Sequence, residues 1–410
     1  MPLVFFNRFY APDHSATAQI LTDLAEHLAA GRDVTVVTSR AIYGQDEGLL
    51  ARQERRDGVV VVRTWTPARR SGMAGRIAAY MAYYIGAFWQ ALRLGGQHSI
   101  FVVKTDPPLL SLPIAIAAAV RGTRLIHWVQ DLYPEIAIAY GIKAAGGPIG
   151  GLLRLLRGWS FRRAARVVAI GGLMAQRVAA MGIANAKIAV IPNWSNDLEI
   201  TPSPLRSPGL RRDWGIGERD FVLEYSGNLG RAHEYDTLLG AAQTLSARPD
   251  IVFLFIGGGH MSDQLASDVT AAGLTSFRFA PYQPRAHLSE SLGAGDAHWI
   301  SLRPEFEGLI VPSKVFGICA AARPVIAVCA ADGELPRLLT PGISCFSIRP
   351  GDSEGLAAAI LSLADDRPRG EAMGAAARTA LDRDYTKARA FERWTALLDG
   401  IAAESAAQKR

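Results

Sequence analysis

The sequence predicts an α/β protein of two doubly wound parallel-sheet domains, and three observations carry that expectation. Short apolar runs rich in Val, Ile and Phe alternate with amphipathic helical stretches from the first residues onward, the pattern of a parallel sheet covered on both faces. At 410 residues the chain suits two or three domains, each able to bury a full core. The alternation lapses over the turn-rich stretch 192–208 and then resumes as a second α/β series. The expected domains are 1–200 and 209–380. A terminal segment, 381–410, is expected to pack back on the first domain through Phe391 and Trp394.

The first domain opens on strand 3–6 and helix 18–30, whose Leu21, Leu24, Ala25 and Leu28 share one face, with Thr17 as its N-cap. Strands 34–38 and 59–63 follow, then a helical stretch over 69–95, strand 100–104, helix 109–120 and strand 124–129. A second amphipathic stretch covers 150–166, ahead of strand 167–170, a helix to Met181 and strand 187–191. The second domain has strands at 221–226, 251–256, 277–279, 297–302 and 325–328, with closing helices at 353–364 and 369–384.

Composition narrows the functional classes. Apolar residues make up 49% and charged residues 20%, so the chain is globular rather than disordered. Cys319, Cys329 and Cys345 have no metal-ligand spacing and read as buried thiols in a reducing compartment. The start shows no basic region ahead of an apolar one, as a signal peptide would. The longest apolar run, 109–120, is 12 residues and contains Pro113, too short to span a bilayer. A cytoplasmic protein is expected. Residues 1–200 hold 22 Lys and Arg against 13 Asp and Glu, whereas 201–410 hold 22 against 25. The basic half suits an anionic partner. Arg69, Arg70 and Arg76 precede Tyr80, Met81, Tyr83, Tyr84, Phe88 and Trp89, and 150–166 carries five arginines and no acid among leucines and aromatics. Both patterns fit a peripheral membrane surface, at which rings sit at headgroup level. Nucleic acid is not expected, because no recognition motif organises the arginines.

Ligands of open α/β sheets bind at the carboxyl ends of the strands, so polar and glycine-rich segments there are the candidate site. In the first domain these are the loop 7–17 with Ser15, and the segment Gln130, Asp131 and Glu135. In the second they are Gly227, Asn228, Arg231 and His233, then Gly257 and Gly258, and above all the stretch 303–327. That stretch places Glu305, Glu307, Gly308, Leu309 and a Pro312-Ser313-Lys314 step ahead of a small-residue helix. A helix N-terminus and a lysine attract an anion, and the glutamates accept hydrogen bonds from hydroxyls. A nucleotide-diphosphate sugar has both chemistries.

The stretch 303–327 resembles the signature region of the family-four glycosyltransferases, which have the GT-B fold: two Rossmann-like doubly wound domains facing across a cleft. More narrowly, it is similar to bacterial polysaccharide and O-antigen transferases with a Pro-Ser-Lys step. The resemblance covers nearly the whole chain and is strongest at 225–234 and 303–327. It implies that Glu307, Gly308 and Leu309 hold the donor sugar, with Glu305 in reserve and Ser313 alongside. The family's second glutamate, a ribose ligand, falls at Gly317 here, and Glu334 is the candidate replacement. Ser15 stands where family members present glycines to the donor phosphate. Gln130 stands at a family histidine, leaving Asp131 as the stronger contact and Glu135 as a weaker acceptor-side one. Asn228 and His233 occupy the places of the family's diphosphate-binding arginine and lysine, so Arg231 and Lys314 become the expected pair. The turn at Pro281-Tyr282, with 277–279, fits the family's base-binding edge.

The resemblance implies a retaining, metal-independent transfer from a nucleotide-diphosphate sugar, expected to be a UDP- or GDP-sugar, with no other cofactor; the basic, aromatic first domain suggests an acceptor such as a lipid-linked saccharide at the inner face of the cytoplasmic membrane. Two competitors stay open: a nucleotide-sugar 2-epimerase on the same fold, and a non-catalytic membrane-associated binding protein. No Walker loop, His-Glu-x-x-His or Gly-x-Gly-x-x-Gly fingerprint is present. The single Asp-x-Asp, Asp382-Arg383-Asp384, sits in a helical segment, which argues against a metal-held diphosphate.

Overall fold

A computed structural model of the protein describes residues 1–42, 49–67, 72–203 and 207–407. Arg69 and Arg70 lie outside the described residues. The chain divides into two units, Met1–Pro192 with Phe391–Arg410, and Asn193–Ala390. The first unit is an eight-stranded sheet: β1 (Leu3–Phe6), β2 (Val34–Thr38), β3 (Gln53–Arg56), β4 (Val59–Arg63), β5 (Ile100–Lys104), β6 (Arg124–Val129), β7 (Arg166–Ala169) and β8 (Ile188–Val190), in the order 3-4-2-1-5-6-7-8. Every neighbouring pair is parallel except the β3–β4 hairpin. The central strands are buried along their length, which is why they read as continuous apolar runs rather than alternating ones.

The second unit is a six-stranded parallel sheet of β9 (Phe221–Asn228), β10 (Ile251–Gly258), β11 (Phe277–Ala280), β12 (Ala297–Ser301), β13 (Val325–Val328) and β14 (Cys345–Ile348), in the order 11-10-9-12-13-14. Two strands were not anticipated. β3 is four polar residues on an exposed edge; its signal was Asp57-Gly58, both at positive φ (46° and 83°), the turn that favours a two-residue hairpin. β14 is a short edge strand with only Cys345 buried.

The helix limits also shift. The first helix is Ala16–Ala29 with Ser15 at its N-cap, not Thr17, and the Ser15 amide donates to Asp13 Oδ1 at 2.7 Å. The helix expected at 109–120 is Ser111–Arg121, because Leu109 sits at φ 63°, outside the helical region. Residues 193–203 belong to the second unit, to which Thr201 N (to Ser289 Oγ, 3.0 Å), Ser203 O (from Arg323, 3.0 Å) and Asp197 Oδ1 (from Lys387 N, 2.9 Å) tie them. The helix Lys387–Ala407 then carries the chain back into the first unit. There Trp394 is fully buried with its ring 4.7 Å from that of Trp128, and Phe391 stacks on His27 at 4.3 Å. Asp399 and Glu404 form ion pairs with Arg32 and Arg166.

Candidate active site

In the second unit, β9 and β10 stay paired to their last residues: Gly227 faces Gly257, and Asn228 faces Gly258. These residues were expected in strand-to-helix turns; they form the last two rungs of the ladder instead. Gly227 and Gly257 have φ of 121° and 122°, and a Cβ on Gly257 would lie 2.6 Å from the Gly227 carbonyl oxygen. Only glycine fits such a rung, and the result is bare backbone at the carboxyl edge of the sheet. Lys314 lies across it, its Cε 2.8 Å from where a Gly227 Cβ would stand.

The Lys314 ammonium donates to the Asn228 carbonyl at 3.1 Å and to His233 Nε2 at 3.4 Å, and sits 5.1 Å above the Tyr225 ring. Tyr225 in turn donates its phenol proton to the same Asn228 carbonyl at 2.7 Å. His233 is buried, and its Nδ1 lies 2.6 Å from the Ser301 carbonyl at the end of β12. A carbonyl only accepts and an ammonium only donates, so His233 is the neutral tautomer with its proton on Nδ1. Burial, reinforced by the Lys314 charge, pushes His233 down to about 3, and burial brings Lys314 down to about 8. The helix behind this lysine, Lys314–Ala320, has only seven residues, and Ser313 caps it with no side-chain bond. The anion-attracting charge expected of a helix N-terminus is therefore that of the lysine itself. Arg231 is exposed on the loop after β9.

Between β12 and β13 the chain makes a short turn, Pro304–Phe306, leaving Glu305 exposed and burying Glu307, Gly308 and Leu309. Glu307 Oε2 accepts from the Glu334 amide at 3.0 Å, which joins the loops after β12 and β13. Burial raises the Glu307 carboxyl above its ordinary range, against hydrogen bonds from the Glu334 and Ala330 backbone. Glu334 is itself buried, at the start of the five-residue helix Glu334–Leu338.

The first-unit candidates gather at the carboxyl ends of β1, β5 and β6. The amides of Gln130 and Asp131 both donate to Thr105 Oγ1, each at 3.2 Å. Burial, then the neighbouring Asp106, raises Asp131 to about 7 against the opposing charge of Lys104. Lys104 is buried, donates to the carbonyl of Thr17 in the first turn of the first helix at 2.9 Å and lies 4.2 Å above the Trp128 ring; burial lowers it to about 7. Glu135 forms an ion pair with Arg157, which also donates to the Tyr133 carbonyl at 2.8 Å.

The structure thus joins Gly227, Asn228, His233, Gly257, Gly258 and Lys314 in one cluster, and Glu307 and Glu334 in a neighbouring pair of loops. It adds Tyr225, Ser301, Lys104 and Asp106, none of them expected. Lys104 and Asp106 carried a legible signal, charged residues at a strand's carboxyl end; Tyr225 and Ser301 looked like ordinary strand residues. Among the described residues no three His, Cys, Asp or Glu side chains converge as metal ligands.

Two family models together match most of the chain: a glycosyl transferase 4-like domain over residues 15–194 and glycosyl transferases group 1 over residues 208–380. The chain is 26% identical over 302 residues to the probable glycosyltransferase WbjE of Pseudomonas aeruginosa, covering 73% of this chain and 74% of that one. It is 23% identical over 374 residues to the putative colanic acid biosynthesis glycosyl transferase WcaI of Escherichia coli, covering 88% and 91%. The solved structure of Anabaena HepE in complex with UDP and glucose superposes with a TM-score of 0.69 at 17% identity, over 97% of this chain and 99% of that one.

Proposed function

The chain belongs to the glycosyltransferases that join a 4-like domain to a group 1 domain in the GT-B fold, and we propose that it moves a sugar from a nucleotide-diphosphate sugar to an acceptor hydroxyl. The observation that carries the donor half of this reading is the Lys314 ammonium, held over the bare glycine rungs of β9 and β10. Two of its three N–H groups have acceptors among the described residues, which leaves one for a phosphate oxygen. A fixed cation in a partly dry site stabilises the charge that develops on a leaving diphosphate. Arg231 is the second cation of this role. UDP- and GDP-sugars are the donors proposed, and UDP is the nucleotide found with HepE. Transfer proceeds with retention and without a metal, the leaving diphosphate helping to deprotonate the acceptor. Glu307, Gly308 and Leu309 bind the sugar, Glu334 the ribose, and Gln130 and Asp131 the acceptor.

The acceptor proposed is a lipid-linked saccharide in polysaccharide assembly, reached from a membrane surface. The relative named for colanic acid biosynthesis favours the polysaccharide. One face of the first unit favours the membrane. Helix Gly72–Leu94 packs against Ser111–Arg121, which packs against Pro148–Arg163, and none of the three contains an acid. Ile77, Met81, Ile85 and Trp89 recur every fourth residue along the first helix, each half or more exposed, and Leu152 and Leu155 are exposed on the third beside Arg162 and Arg163. No helix among the described residues is long and apolar enough to cross a membrane.

The test is a thermal-shift panel of UDP, GDP and their sugars on wild type and Lys314→Ala. A ligand at ~100 times its dissociation constant stabilises the fold by about 2.7 kcal/mol. One nucleoside diphosphate should raise the melting temperature of wild type and leave the variant unmoved; no shift with any of them would overturn the donor site.

A further inference from the structure

Three groups fix the Lys314 ammonium, and they differ in what they can do. The Asn228 carbonyl is backbone and cannot be tuned, and the Tyr225 ring supplies an undirected face at 5.1 Å. The third, His233 Nε2 at 3.4 Å, is a directed lone pair on a ring that cannot turn. Its other nitrogen is locked 2.6 Å from the Ser301 carbonyl, and the backbone on either side of the ring is pinned as well: Arg303 Nε donates to the His233 carbonyl at 3.0 Å, and the Glu234 amide to Ser301 Oγ at 3.0 Å. Both ring nitrogens are therefore engaged within the protein, and the ring has no N–H left to offer a phosphate.

We infer that His233 is a positioning residue: it transmits the place of Ser301, at the end of β12, to the Lys314 ammonium, and so aims that cation at the diphosphate without touching the donor. This rests on the nucleotide-sugar reading of the same cluster and departs from it on one point, since His233 stood among the donor-binding residues. The chemistry explains the residue type. The site needs a side chain that donates to a carbonyl on one side and accepts from an ammonium on the other. A lysine or arginine here could only donate, and would repel Lys314. Neutral imidazole meets both demands, and burial together with the lysine charge keeps it neutral through the physiological range. Among the described residues, the other groups facing Lys314 are Tyr225 from β9 and the backbone of Gly227 and Asn228, and none of these adds a carboxylate beside the ammonium.

The experiment is a double-mutant cycle read by UDP and GDP affinity. It uses His233→Leu, His233→Gln, Lys314→Ala and the His233→Leu/Lys314→Ala pair, with apo melting temperature as the folding control. His233→Leu should weaken the nucleotide at least tenfold, and the loss should vanish in the Lys314→Ala background, since the histidine acts only through the lysine. His233→Gln, whose amide can donate to Ser301 and accept from Lys314, should stay within about threefold of wild type. The pH profile gives a readout that a merely structural role would not move. Affinity in wild type should fall as the pH rises through about 8, where Lys314 loses its proton, and in His233→Leu this limb should move to lower pH because the charged form has lost an acceptor. Losses that add in the double variant would show that His233 meets the ligand directly and overturn the inference while leaving the donor site standing. If His233→Leu does not fold, His233→Gln decides: a tenfold loss, or an unmoved affinity with the limb displaced, would equally overturn it. Wild type that binds neither nucleotide would overturn the inference together with the reading on which it rests.

Discussion

At the scale of single residues, the site is organised by what is missing. Side chains are absent at Gly227 and Gly257, and the paired strand ends can therefore approach a ligand and carry Lys314 across them. Gly257→Ala combines a positive φ with a Cβ 2.6 Å from the Gly227 carbonyl, so we expect it to destabilise the second unit by about 1–3 kcal/mol and to abolish the nucleotide-induced thermal shift. Differential scanning calorimetry with and without UDP measures both, and an unchanged melting curve would count against the rung geometry. Glycine at a strand end was legible in the sequence, but its reason was not. A turn and a terminal rung both select glycine, and only the register Gly227–Gly257 tells them apart.

At the scale of elements, two features carry predictions. The first is the helix Gly72–Leu94, whose stripe of Ile77, Met81, Ile85 and Trp89 faces solvent. Fully burying such a side chain is worth about 1.5–3 kcal/mol. Ile85→Ser with Trp89→Ser should therefore weaken binding to phosphatidylglycerol-containing vesicles at least tenfold, measured by sedimentation, without changing nucleotide affinity. Equal vesicle binding by wild type and variant would dismiss this face. The second is the contact between β9 and β12, where Glu224 and His298 face each other, both fully buried, with His298 Nε2 3.9 Å from Glu224 Oε2. Burial pushes Glu224 up to about 8 and His298 down to about 4. The folded protein thus keeps a proton on Glu224 that the unfolded chain has lost above about pH 4.5. The contribution of Glu224 to stability accordingly falls as pH rises from about 4.5 to 8, by up to about 1.4 kcal/mol per pH unit, and stays low above. Glu224→Gln should remove this slope and be the more stable protein at pH 9 in urea titrations; parallel pH profiles for the two proteins would refute it.

At the scale of the whole molecule, the chain leaves the first unit at Pro192 and returns to it at Phe391. The returning helix is part of the first unit's core rather than an appendage, since Trp394, Leu398 and Ile401 are fully buried and Trp394 packs on Trp128 of β6. Trp394→Ala should cost about 3–5 kcal/mol of first-unit stability. The loss should appear in chemical denaturation as an earlier transition of that unit, with UDP still protecting the other. A single transition at the wild-type midpoint would contradict the buried role. The two family models end at residue 380 and do not include this helix, whose aromatic positions alone pointed to its packing.

The sequence by itself determined the two α/β series, most of the strands, the glycine-rich strand ends and the Pro-Ser-Lys step, because each is written in local periodicity or in a residue type with few conformational alternatives. Tertiary structure alone decided which of these residues meet. Lys314 reaches a carbonyl 86 positions earlier in the chain and a histidine 81 earlier, and that histidine is locked by a carbonyl 68 positions later. The sheet order 11-10-9-12-13-14 sets β9 beside β12, so strands separated in sequence by β10 and β11 end side by side at the sheet's carboxyl edge. Propensity and spacing act over a few residues, whereas a tautomer, a lowered lysine and an ammonium held between a carbonyl and an imidazole arise from burial and from neighbours brought together by the sheet.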